Sequence, residues 1–76
     1  MTPQQTALCE RLKRLGYEKD RLLRMYGEEF DLISDPITIS EHLYVVDAIE
    51  RRTKNKRRVC IPLPIVNMAR RDLRAA

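Results

Sequence analysis

Two β-prone runs separated by only four polar residues constrain this chain more than any other feature. LYVVDAIERR (43–52) and RRVCIPLP (57–64) flank TKNK (53–56), and so short a connection makes the two strands pair as an antiparallel hairpin over 43–52 and 57–62. Successive strand residues face opposite sides, so loop length decides which side chains share a face. A two- or four-residue loop pairs residues whose numbers sum to an odd value. Tyr44, Val46 and Ala48 then lie with Val59, Ile61 and Leu63 on an apolar face that helices should cover. The other face carries Val45, Asp47, Ile49 and Arg51 beside Arg58 and Cys60. A three-residue loop would leave both faces half polar, so the even loop is expected. Pro62 and Pro64 lack the N–H that a ladder needs, which makes the last strand an edge ending near Ile61.

Helical patterns bracket the hairpin. Thr2 suits an N-cap, Pro3 the first helical position and Gln5 the third residue of a capping box; Leu8, Leu12 and Leu15 then recur on one face. A helix over 3–15 ends at Gly16. Residues 17–26 place Leu22, Met25 and Tyr26 at helical spacing before Gly27, which predicts a short second helix, with Leu22-Leu23 as a competing strand start. In EEFDLIS (28–34) Phe30 and Leu32 alternate with Asp31 and Ile33, a strand closed by Asp35-Pro36, and ITIS (37–40) is a further short one. Ile65, Met68, Ala69 and Leu73 line one face of a C-terminal helix over 65–74, with Asn67, Arg70, Arg71 and Arg74 opposite. The expected fold is α+β: a helix, a short helix, a three- to four-stranded antiparallel meander and a final helix, in one domain over 1–76.

Size and composition narrow the setting. Seventy-six residues, 43% hydrophobic and 34% charged, suit one small globular domain rather than a disordered chain. Neither a membrane-spanning run nor a signal-peptide core is evident, and two cysteines are too few for a disulfide framework, so a reducing cytoplasm is expected. A chain this short buries only roughly 60–65% of its unfolded surface, which raises the prior for self-association.

Charge is strongly ordered along the chain. Residues 1–27 carry six Lys/Arg and three Asp/Glu; residues 28–50 carry seven acids and no base; residues 51–76 carry nine bases and only Asp72. Arg51, Arg52, Lys54, Lys56, Arg57 and Arg58 fall within eight residues at the hairpin tip, and Arg70, Arg71 and Arg74 form a second stripe. Six cations on a projecting ribbon suit a phosphate backbone, where each neutralised phosphate releases counterions. Cations also blunt sheet edges against unwanted pairing, but six in eight exceed that need. No aromatic residue lies within the segment to stack on bases. The second reading is a protein-interaction or homo-oligomeric role, in which the acidic 28–50 region meets the basic segment. Both require acidic and basic stretches that stay apart in space.

Catalytic chemistry is not expected. His42 is the only histidine, and its neighbour Glu41 faces the opposite side of an extended chain. Cys9 and Cys60 read as structural thiols, and with His42 they make too few ligands, too widely spaced, for a metal. Gly16 and Gly27 are isolated, so no phosphate-cradling loop is present. No cofactor is implied.

RRVCIPLP (57–64) followed by a helix, together with Leu15-Gly16-Tyr17 after the first helix, resembles the HicA toxin family of small RNA-cleaving proteins. That resemblance implies a double-stranded-RNA-binding-like αβββα fold. The family's Gly-Ser-His motif is absent, since His42 follows Ser40-Glu41, so the resemblance assigns no residue a catalytic role.

Overall fold

A computed structural model describes residues 2–75 as an α+β fold. Helix α1 (Pro3–Arg14) starts as its sequence demands: the Gln5 N–H donates to Thr2 Oγ1 at 3.2 Å and the Thr2 N–H to Gln5 Oε1 at 2.9 Å. It stops at Gly16, whose φ of 109° lets the Gly16 and Tyr17 N–H groups turn back onto the Lys13 and Leu12 carbonyls. Leu8 and Leu12 are buried from this helix.

The short second helix does not form. Residues 22–25 are strand β1 (Leu22–Met25), paired antiparallel with β2 (Glu28–Leu32) through Leu23↔Phe30 and Met25↔Glu28. Ten residues between two glycines are too few to offset helix nucleation, whereas pairing turns Leu23 and Met25 onto the core. Tyr26 (φ 54°) and Gly27 (φ 76°) both adopt the left-handed conformation of a type I′ turn, which matches strand twist. Gly27 therefore closes a hairpin, not a helix.

Strand β4 (Tyr44–Glu50) is the centre of the sheet. On one side it pairs with β2 through Phe30↔Glu50 and Leu32↔Ala48, then with β3 (Ile37–Thr38) through Ile37↔Val45 and Thr38↔Tyr44. Between those stretches the β2–β3 side carries two extra residues, absorbed over 33–36. There the Ser34 hydroxyl accepts the Asp47 N–H at 2.9 Å, and Pro36 has no N–H to satisfy. Five strand segments thus occupy four rows, in the sequential order of the expected meander.

On its other side β4 pairs with β5 (Lys56–Cys60) in the expected parity, Val45↔Cys60, Val46↔Val59 and Asp47↔Arg58. The Glu50 N–H donates to the Asn55 carbonyl, so the loop is residues 51–54 rather than TKNK, and still has four residues. Tyr44, Val46 and Ala48 are at most 1% exposed beneath the helices. Leu63 departs from the expected face: it opens helix α2 (Leu63–Ala75) and is 51% exposed. That helix begins two residues before the expected 65 and buries Val66 and Ala69, leaving Leu73 at the surface. Arg11 ties the helices together, its Nε and Nη2 donating to Asp72 Oδ2 at 3.0 and 2.8 Å.

Candidate nucleic-acid interface

Register decides which ribbon cations are free. Arg58 stands opposite Asp47 on the uncovered face, and its Nε donates to Asp47 Oδ1 at 3.0 Å. Arg51 follows β4 and reaches across to β2, where its Nε bonds both Asp31 oxygens at 3.1 Å. Arg57, on the helix-side face, donates to Glu50 Oε1 at 3.1 Å, and Glu50 also accepts the Thr53 hydroxyl at 2.9 Å. These contacts raise the Arg51 and Arg58 pKa values. The Thr53 hydroxyl, followed by Arg57, holds the Glu50 carboxyl below its ordinary value.

The charge separation expected from sequence is not kept. Asp31, Asp47 and Glu50 neutralise half of the hairpin cations, Arg24 lies 3.5 Å from Glu29 and Lys13 lies 3.7 Å from Asp35. Antiparallel pairing laid the acidic middle of the chain directly beside its basic neighbours. What remains at the tip is Arg52, Lys54 and Lys56, all exposed and without an ion pair among the described residues. Lys54 projects from a left-handed backbone, φ 64°.

The helical stripe lies elsewhere. Arg70 donates to the Glu41 carbonyl and to His42 Nδ1, which sets it at the end where the chain enters β4. Arg71 and Arg74 are exposed there, and Arg74 borders an open groove of about 610 Å³ with Thr2, Gln5, His42 and Leu73. The hairpin tip is at the opposite end of β4, about 20 Å away at some 3.4 Å per residue. The fold therefore divides the nine candidate cations into two groups that do not form one patch.

One aromatic residue lies near the tip. Tyr26 is 91% exposed in the β1–β2 turn. Met25 is opposite Glu28, and the Arg51 N–H bonds the Glu29 carbonyl at 3.0 Å, so the two turns sit side by side. Gly27, Glu28, Glu29, Glu50, Arg51 and Arg52 line the shallow recess between them. The only sequence signal for this placement is Tyr-Gly between two alternating runs.

His42 is exposed, and because a guanidinium can only donate, Nδ1 is its lone-pair nitrogen. Cys9 is buried with its sulfur 3.5 Å from the Thr38 hydroxyl, whereas Cys60, read from sequence as a structural thiol, is exposed on the uncovered face. Among the described residues no three His, Cys, Asp or Glu side chains gather as a metal set, and no helix is long and apolar enough to cross a membrane. No family model, curated protein or solved structure matches this chain, so the likeness to HicA toxins rests on the quoted segments alone.

Proposed function

We propose that this chain is a non-catalytic cytoplasmic protein that binds nucleic acid through its β4–β5 hairpin tip. Although the fold interleaves the acidic and basic stretches and so removes the extended basic patch expected from sequence, one observation carries the reading: after internal ion pairing, Arg52 and Lys54 in the 51–54 loop and Lys56 at the start of β5 are left exposed at one end of the sheet. Such cations gain by displacing counterions from phosphates, whereas cations already held by carboxylates gain much less. The self-association reading draws on the acidic 28–50 region, in which Glu29, Asp31, Asp35, Asp47 and Glu50 are already paired within the chain and only Glu28 and Glu41 have no ion pair among the described residues. The Arg70, Arg71 and Arg74 group, at the far end of β4, takes no part in this footprint.

Fluorescence anisotropy with a labelled oligonucleotide across a salt series tests the proposal. Affinity should fall with rising salt, and replacing Arg52, Lys54 and Lys56 together by Ala should flatten the log–log slope by about 2 to 3, near 0.7–0.9 per lost phosphate contact. Arg71→Ala with Arg74→Ala should leave it unchanged. Absence of binding by the native chain at low salt would overturn the reading.

A further inference from the structure

Resting on that nucleic-acid reading, we infer that the ligand is an unpaired strand, with one base stacked on Tyr26 while Arg52 and Lys54 hold phosphates a few nucleotides along the same strand. Nothing in the fold accounts for Tyr26. At 91% exposed its ring contributes almost no buried area, and at φ 54° it occupies a turn position that suits Asn, Asp or Gly far better than an aromatic residue. A bulky ring in a strained and solvated position points to a task outside the fold. Base stacking is such a task, and it requires a base free of its pairing partner.

The surroundings set the polarity of the site. Register continued from Met25↔Glu28 brings Arg52 opposite Glu28, so the backbone of Met25, next to Tyr26, and that of Arg52 are two strand spacings apart, about 10 Å. That span is about three nucleotides at a stacked rise of roughly 3.4 Å. Arg52 lines the recess between the two turns beside Glu28, which has no ion pair among the described residues and disfavours a phosphate there, whereas Glu29, Glu50 and Arg51 are already paired with Arg24, Arg57 and Asp31. An uncharged base is not repelled by Glu28. Phosphate contact therefore falls to Arg52 and Lys54, and a base is the part of the strand that suits the ring. A regular duplex offers only phosphates and paired edges to this end of the molecule.

The test uses fluorescein-labelled U12, dT12 and an RNA duplex of equal length at low salt, against the native chain, Tyr26→Asn and Tyr26→Phe. Asn keeps the turn conformation and Phe keeps the ring. Tyr26→Asn should weaken U12 or dT12 binding by roughly 5- to 100-fold, the range of one lost stacking contact, with duplex binding and melting temperature not lowered. Tyr26→Phe should stay within about twofold of the native chain, as a retained π-face predicts. The chain has no Trp, so quenching of its Tyr emission by the single strand, lost in Tyr26→Asn, gives a second readout. Native-like single-strand affinity in folded Tyr26→Asn would overturn the stacking site, as would binding to duplex alone. Both outcomes leave nucleic-acid binding standing, whereas failure to bind any of the three probes defeats that underlying reading.

Discussion

Tyr26 and Lys54 both hold left-handed backbones at one end of the sheet, and each is a residue that pays for that conformation without help from packing. Tyr26→Asn should therefore raise the free energy of unfolding by roughly 0.5–1 kcal/mol, measured by urea denaturation, while binding declines. Glu50 behaves in the opposite sense. Its carboxyl is held below the ordinary 4.5 by the Thr53 hydroxyl and then by Arg57, so its contribution to stability is present above that value. The contribution is lost as pH falls through the lowered value. Urea midpoints compared between pH 6 and pH 3 should drop further for the native chain than for Glu50→Gln, whose amide does not titrate. Tyr17 shows the mirror case: burial, and then the nearby Tyr26 phenol, raise its pKa, so its share of stability is lost only at strongly alkaline pH.

Elements follow the same logic one level up. In α1, Leu12 is fully buried, and Leu12→Ala should lower stability by roughly 2–5 kcal/mol, read as a shifted denaturation midpoint with the slope preserved. That helix was legible in the sequence because a cap, a period and a glycine stop all act within fifteen residues. The hairpin parity was legible for a similar reason, since four loop residues and an alternating pattern fix which side chains share a face, but the register was not: the loop falls at 51–54 instead of 53–56. Residues 17–26 were not, since Leu22, Met25 and Tyr26 satisfy helical spacing while Leu23 and Met25 satisfy strand alternation equally well. Only β2, which pairs with this segment, resolves the ambiguity. The candidate site was half legible. Its cations stand where the hairpin predicts, but their partners depend on three strands in register, and Tyr26 reaches Arg52's neighbourhood only through β2–β4 pairing.

At the scale of the molecule, 39 × 22 × 18 Å, the two groups of free cations occupy separate ends, and a ligand of a few nucleotides meets only one of them. Mixed ion pairs across the uncovered sheet face keep the surface between them close to neutral. The position of β4 has a further effect. The strand from the middle of the sequence takes hydrogen bonds on both edges and lies beneath helices drawn from the two termini, themselves joined by Arg11 and Asp72. Neither half of the polypeptide owns a finished interior. The molecule should consequently lose its structure in one concerted step, with no stable fragment surviving a break anywhere along its length.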